Sequence, residues 1–162
     1  ITKQIKIGDF IKLNNSEAGQ VSDISWRYTT SHTPLGNAVI VPNKTIASAT
    51  VLNYNMPITD ITIVIPIGVG YESDLDQVES VTLEVANNIT NECDPEMTIK
   101  PTLFFTEFAD SSINFEVRLH CSNFTTRGLM KHMFIKAITA RYRKEGINIP
   151  FPIRTVHMAK EN

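Results

Sequence analysis

The sequence predicts a mixed β and α+β protein, in which a small bent β-barrel precedes a ferredoxin-like β-α-β-β-α-β domain. The first third of the chain consists of short β-branched runs separated by turn residues, and the remainder alternates between strand-like and helix-like spacing of apolar residues. Pro57 lies between the two patterns. We therefore expect a β domain at residues 1–56, an α+β domain at 57–152, and a C-terminal strand and tail at 153–162.

The first segment contains five short, turn-linked strands. The signals are the apolar runs Ile5–Ile7, Phe10–Leu13, Gln20–Trp26, Ala38–Val41 and Val51–Tyr54, with turn residues at Gly8-Asp9, Gly19 and Leu35-Gly36-Asn37. Pro42 ends the fourth run because it has no N–H for a strand ladder, and we expect Asn43 to cap the turn that follows. So many strands in so short a segment indicate a bent barrel of the Sm-like or SH3-like type.

The second segment alternates strands and helices. The expected strands are Ile61–Ile67, Leu103–Phe108, Ile113–Cys121 and Ile153–Met158. One helix begins near a capping box formed by Ser73 and Asp76, with Leu75, Val78, Val81, Val85 and Ile89 on its apolar face. Another begins at Thr125 or Thr126 and ends at Gly146, after the cations of its last turn, and its apolar face carries Met130, Met133, Phe134, Ala137 and Ile138. This order is the split βαβ arrangement.

Composition excludes several classes of protein. Apolar residues make up 42% of the chain, too many for a disordered protein. The chain has fifteen Lys and Arg and seventeen Asp and Glu, and this near balance of charge argues against nucleic acid as the main partner. Two cysteines, Cys93 and Cys121, are too few for a disulfide framework and indicate reduced thiols. The chain starts at Ile1 and has no membrane-spanning run, so we expect a fragment or a processed product.

The sequence contains no convincing catalytic or metal-binding pattern. Its four histidines lack ligand spacing, and Gly68-Val69-Gly70 lacks the further residues of a phosphate loop. Asp110-Ser111-Ser112 has the composition of a hairpin turn. We therefore expect no enzyme activity, no metal and no cofactor. The exposed side chains of the second long helix, including its basic residues, should form a solvated face.

Aromatic residues are expected in the core rather than on a stacking surface. This interpretation applies to Trp26, Tyr28, Phe104, Phe105 and Phe108. A nucleic-acid surface would interleave aromatic and basic residues, and no such pattern is evident.

Five short stretches, in order along nearly the whole chain, match the sequence motifs of one family. They are Gly8-Asp9-Phe10-Ile11; Gly19-x-Val21-x-x-Ile24-x-x-Arg27 with Thr29-Thr30; Gly36 with Val39-Ile40-Val41-Pro42-Asn43, then Asn53-Tyr54; Ile67-Gly68-Val69-x-Tyr71-x-x-Asp74; and Arg143-x-x-Gly146-Ile147-x-Ile149-Pro150-Phe151-Pro152. Together they resemble the cytoplasmic part of the small-conductance mechanosensitive channel (MscS) family. Lys44 departs from the family pattern, since many members have Ser there.

The resemblance implies the cytoplasmic vestibule portion of a channel that opens under membrane tension and releases ions and osmolytes during hypo-osmotic shock. It implies a multi-pass protein of the cell membrane, with pore-lining helices upstream of Ile1 and this chain on the cytoplasmic side. The implied partners are further copies of the chain, typically seven, the lipid bilayer, and the permeating solutes, with no nucleic acid. Gly8, Asp9, Arg27, Pro42 and Asn43 are the candidate family-signature and inter-subunit residues. For Arg27, a surface position at a strand end is an equally good interpretation.

Two other classes of function are compatible with the sequence. A soluble Sm-like RNA-binding ring would place basic and aromatic residues around one pore, but it leaves the second segment unexplained. An enzyme built on the ferredoxin-like domain would need a pocket with perturbed titratable groups.

Overall fold

The computed structural model describes residues 4–14, 16–57 and 60–151, which form two compact units. The first unit extends to Ile61 and includes Ser122–Thr126, and the second contains Thr62–Cys121 and the chain from Arg127. The elements, in chain order, are β1 (Phe10–Leu13), β2 (Gly19–Ile24), β3 (Tyr28–His32), β4 (Ala38–Pro42), α1 (Asn43–Ser48), β5 (Val51–Asn53), β6 (Ile61–Val69), α2 (Leu75–Cys93), β7 (Thr102–Phe108), β8 (Ile113–Cys121) and α3 (Phe124–Glu145). The predicted fold class is confirmed; the expected strand Ile153–Met158 and the tail lie outside the described residues.

The first unit is a five-stranded antiparallel sheet in the order β4-β3-β2-β1-β5. A register shift between Val21 and Asp23 gives β2 the bend expected from its loosely spaced apolar residues. Along β1 and β2, inward-facing residues such as Phe10, Ile11 and Val21 are buried. Neighbouring strands are antiparallel, so the start of β1 lies at the same end of the sheet as the end of β2, the start of β3 and the end of β4. The chain enters the sheet at this end.

The second unit has a three-stranded sheet in the order β6-β8-β7, together with α2 and α3. This order, with the first strand beside the third, is the one expected of a ferredoxin-like unit. The period-two pattern of β8 is confirmed, since Ile113, Phe115, Val117, Leu119 and Cys121 are all buried. The apolar faces of the two helices supply most of the remaining core.

The C-terminal end of α3 is the one predicted from the sequence, whereas the N-terminal cap of α2 differs from the prediction. Gly146 follows α3 with φ +72, the left-handed stop that was predicted. The cap of α2 is Asp74 rather than Ser73, because the Asp74 carboxylate accepts from the backbone N–H groups of Asp76 and Gln77 at 3.0 and 3.3 Å. The capping-box prediction therefore fixed the start of this helix within one residue but named the wrong side chain.

The prediction that five aromatic residues lie in the core is wrong. Trp26 is 81% exposed and Phe108 is 79% exposed, and Tyr28, Phe104 and Phe105 are also accessible to solvent. Each lies on a hairpin or on the outer strand β7, where the unit to which it belongs has no further layer to cover it.

Candidate functional site

Gly8 and Asp9 form the junction at which the chain enters β1. The Asp9 carboxylate accepts from the Lys6 backbone N–H at 2.9 Å and from the side-chain amide of Asn53 at 2.8 Å. Gly8 has φ +96 and open space where a Cβ would stand, so its backbone angle alone favours glycine. The Asn53 amide also donates to the carbonyl of Gln4 at 3.0 Å. The pair therefore fastens the incoming chain to the end of β5.

Asn43 connects the β2–β3 hairpin to the start of α1. Its side-chain oxygen accepts from the Thr29 hydroxyl, and its side-chain nitrogen donates to the Ser25 carbonyl, both at 2.8 Å. The backbone N–H of Asn43 donates to the carbonyl of Arg27, also at 2.8 Å. The expectation that Asn43 caps the following turn is wrong, since Pro42 occupies the N-cap position and makes no side-chain cap. Both the oxygen and the nitrogen of the Asn43 side-chain amide are bonded to residues that are distant in sequence.

Arg27 and Trp26 lie together at the tip of the β2–β3 hairpin. The Arg27 guanidinium carbon is 4.7 Å from the centre of the Trp26 ring, a cation–π contact. Within the described ranges Arg27 forms no ion pair. The described part of its own chain therefore supplies no carboxylate partner for Arg27.

Three of the five predicted site residues converge on one cleft. Arg27, Pro42 and Asn43 line a depression of about 390 Å³, and the other lining residues are Trp26, Tyr28 and Lys44. Gly8 and Asp9 are not among its lining residues. In the sequence Lys44 stands out only as a departure from a family pattern. Its place in the cleft follows from the register that pairs Tyr28 with Pro42, which no local sequence signal gives.

The two outer strands of the first sheet, β4 and β5, carry exposed apolar side chains. Ile40 on β4 is 63% exposed and Leu52 on β5 is 53% exposed. A groove of about 500 Å³ follows β5, lined by Gln4, Val51, Leu52, Asn53, Met56 and Pro57. In the described part of the chain each of these strands has one neighbour, which leaves one edge of each available for pairing.

Among the described residues, the pKa values of Glu72, Cys93, Arg141 and Tyr142 are shifted. Burial raises the pKa of Tyr142 to about 12, and its hydrogen bond with Thr82 opposes this rise. Burial also raises the pKa of the Cys93 thiol, assisted by the neighbouring Glu92 and Asp94 carboxylates. The described residues include no group of His, Cys, Asp and Glu side chains arranged to hold a metal. None of their helices is long and apolar enough to cross a membrane.

Two family models match consecutive parts of the chain. Residues 1–56 match the model described as the mechanosensitive ion channel β-domain. Residues 63–149 match the model described as the C-terminal part of the mechanosensitive ion channel MscS.

Individual relatives extend this similarity over almost the whole chain. The mechanosensitive channel MscK of Escherichia coli is 31% identical over 159 residues, which are 98% of this chain and 14% of MscK. An MscS family protein of Synechocystis is 34% identical over 154 residues, 94% of this chain and 50% of the relative. The chain thus spans about half, or much less, of the curated relatives that it matches.

Solved structures show the same fold. The crystal structure of Helicobacter pylori MscS in its closed state superposes with a TM-score of 0.75 at 23% identity, covering 98% of this chain and 61% of that one. The cryo-EM structure of Arabidopsis thaliana MSL1 gives a TM-score of 0.61 at 18% identity, covering 93% and 52%. On the two family models and these relatives, the chain belongs to the MscS family of mechanosensitive ion channels.

Proposed function

We propose that this chain is the cytoplasmic vestibule portion of a mechanosensitive ion channel, which opens under membrane tension and releases ions and osmolytes during hypo-osmotic shock. The observation that carries the proposal is the consecutive match of both units to domains of such channels. Relatives named as channels, MscK and the miniconductance channel MscM of E. coli, align over 98% and 93% of the chain. The family is one of ion channels rather than enzymes.

The two open sheet edges support assembly into a ring. Strands β4 and β5 lie at opposite ends of the strand order, and each exposes an apolar side chain beside its unpaired edge. If β4 of one copy meets β5 of the next, the contact is heterologous, and it forms a closed ring when the rotation between neighbouring copies divides a full turn evenly. Every copy then covers both of its edges, which removes an aggregation hazard. We propose a homo-oligomer of this kind, with seven copies as the family resemblance suggests.

The gating step belongs to membrane segments outside this chain. Tension favours the state with the larger area in the plane of the membrane, and it shifts the closed–open equilibrium by that difference. The full protein would be a multi-pass protein of the cell membrane. This portion would hold the subunits in register on the cytoplasmic side and admit solutes to the pore.

The domain limits and the signature residues remain parts of this proposal. We assign a β domain to residues 1–56, an α+β domain to 57–152 and a terminal strand and tail to 153–162. The candidate inter-subunit residues are Gly8, Asp9, Arg27, Pro42 and Asn43. The bonds of Asp9 and Asn43 within their own unit support a role in shaping the surface that a neighbouring subunit meets.

The alternative of an Sm-like RNA-binding ring receives no support from the relatives, which are mechanosensitive channels or members of their family. The enzyme hypothesis is not favoured either, because the relatives that are named for a function are channels.

Patch-clamp recording tests the proposal directly. The full-length protein that contains this chain is expressed in a host without its own mechanosensitive channels, and suction is applied to excised membrane. Step-like currents that grow with tension are expected. Silence, with the protein shown to be folded in the membrane, would contradict the proposal.

A paired variant makes the assembly part of the proposal specific. Ile40→Lys places a charge on the exposed edge of β4 and should abolish or strongly reduce the currents by preventing strand pairing between copies. Leu35→Lys is the matched control, because Leu35 is 80% exposed in the β3–β4 turn but lies outside the edge strand. Equal currents from the two variants would overturn the proposed edge contact.

A further inference from the structure

The Trp26–Lys44 cleft has a composition unlike that of the rest of the first unit. Its six lining residues include two cations and two aromatic rings, and no carboxylate is among them. The hydrogen bonds that join Asn43 to Ser25 and Thr29 tie the hairpin to the start of α1, and Arg27 and Lys44 both line the same depression. The fold therefore places two cationic side chains in the lining of one cleft.

Trp26 is exposed in a way that its own unit does not explain. Trp26 is 81% exposed as a residue, and the nearby Tyr28 is 45% exposed. Tryptophan and tyrosine beside arginine and lysine are typical of the boundary between membrane and water, where an aromatic ring is apolar at one end and polar at the other.

The cation–π contact leaves Arg27 able to bind an anion. The guanidinium carbon lies over the face of the Trp26 ring, whereas the N–H groups of a guanidinium point outward in its plane. That planar fork matches the oxygens of a phosphate. Lys44, which is exposed, supplies a second positive charge in the lining of the same cleft.

The cleft lies at the end of the sheet where the chain enters. Gly8 donates to the carbonyl of Val21, and β2 then continues past this point to Ile24 and the Trp26 hairpin. Tyr28 pairs with Pro42 at the same end. The chain also leaves the sheet at this end. It leaves from β5, which is the outer strand on the side away from β4. Membrane segments upstream of Ile1 would thus join the sheet at the end that carries the cleft.

We propose that Trp26, Arg27 and Lys44 bind the phosphate of an anionic phospholipid at the bilayer surface. This inference rests on the proposed membrane function, because it requires a bilayer at the end of the sheet where the chain enters. Arg27 and Lys44 contact the phosphate, and Trp26 lies at the level of the lipid headgroups. An RNA partner is disfavoured, since the chain has fifteen Lys and Arg against seventeen Asp and Glu and so lacks the basic excess of a nucleic-acid binder.

The single tryptophan makes the cleft directly observable. Trp26 is the only tryptophan in the chain, so intrinsic tryptophan fluorescence reports on this residue alone. The 162-residue chain is titrated with vesicles of phosphatidylcholine, with and without phosphatidylglycerol. We expect a shift of Trp26 emission to shorter wavelength with the anionic vesicles, which weakens as salt is raised.

Charge-removing variants show whether the cleft causes this binding. Arg27→Gln and Lys44→Gln should each weaken binding to anionic vesicles about fivefold, the effect of one surface cation near an anionic membrane. Lys12→Gln is the matched control, because it removes the same charge from an exposed position of the same unit outside the cleft. Circular dichroism checks that each variant keeps the fold.

Three results would overturn the proposal. One is an unchanged Trp26 emission spectrum with anionic vesicles. Another is equal weakening by Lys12→Gln, which would indicate attraction through net charge alone. The third is an emission shift with inorganic phosphate or a single-stranded oligonucleotide but not with phosphatidylglycerol vesicles. Because the titration measures binding without current, its failure is distinguishable from the failure of the channel proposal.

Discussion

The two units of this chain are stabilised in different ways. In the first unit, few apolar side chains are buried, and Asp9 and Asn43 connect turns to strands through side-chain hydrogen bonds. In the second unit, α2, α3 and β8 bury a continuous set of apolar residues, including Phe134 and Phe115. The second unit contains its own core, whereas the first leaves apolar residues on both sheet edges.

The difference indicates where each unit depends on its surroundings. A unit with a complete core is stabilised mainly by burial, which needs no partner. A sheet with two open edges and exposed Ile40 and Leu52 gains further stability when another strand covers them. The first unit is thus the part of the chain most suited to assembly, and the following variants test that contrast.

The largest effect is expected from Phe134→Ala in the second unit. Phe134 is fully buried on α3, so truncation leaves a cavity and should lower the free energy of unfolding by about 3–5 kcal/mol. Urea unfolding followed by far-UV circular dichroism measures this, because α2 and α3 dominate the helical signal. Ile135→Ala, at the adjacent 45% exposed position, should change it by no more than about 0.5 kcal/mol. Similar losses from both variants would contradict a core built on this face.

Asn43→Ala should have the largest effect in the first unit. It removes both side-chain hydrogen bonds to Ser25 and Thr29, and we expect a loss of about 1–3 kcal/mol. Trp26 fluorescence during urea unfolding reports on this unit. Asn37→Ala, at an exposed position in the same sheet's hairpin, is the control and should be near neutral. An unchanged transition for Asn43→Ala would break the contrast between the two units.

Asp74→Ala tests a polar contribution within the unit that is otherwise stabilised by its core. Loss of the N-cap carboxylate should lower the stability of the second unit by about 1 kcal/mol. Ser73→Ala should change it by less than about 0.5 kcal/mol, since Ser73 is not the cap. Unfolding followed by circular dichroism distinguishes the two. A larger loss of stability in Ser73→Ala than in Asp74→Ala would instead support the capping box predicted from the sequence.

The smallest effect concerns the titration of Glu72. A backbone hydrogen bond and the Asn148 amide lower the pKa of this carboxyl. Because the folded pKa is depressed, the contribution to stability is complete above the unfolded pKa and is lost as pH falls through the folded value. In Asn148→Ala the Glu72 pKa, followed by NMR, should rise part of the way to its ordinary value. Asn88→Ala, on the exposed side of α2, should leave it unchanged.

The sequence predicted the elements of both units because burial repeats along them with a fixed period. In β8 every second residue is buried, which appears directly as alternation from Ile113 to Cys121. In α3 the same argument identified Phe134 and Ile138, but it missed Tyr142, whose hydroxyl bonds to Thr82. A tyrosine gives no local sign of whether its hydroxyl has a buried partner.

The errors arose where the decisive neighbour is distant in sequence or outside the chain. Asn43 has the local features of a helix cap, yet its partners lie 14 and 18 residues earlier. Trp26 and Phe108 are apolar enough for a core, but composition does not reveal that their own units leave them uncovered. The family resemblance identified Arg27, Pro42 and Asn43 separately, and only the strand register brings them to one cleft with Lys44.

The fastening of the incoming chain has a mechanical consequence. The Asn53 amide holds both the Gln4 carbonyl and the Asp9 carboxylate, so a pull on the chain upstream of Gln4 is shared with β5 before it reaches β1. Strand β1 is paired on both sides, with β2 and β5, and a force along its axis loads these ladders in shear, all bonds together. Force applied along the chain upstream of Gln4 would therefore load several strands of the sheet together instead of peeling off its first strand.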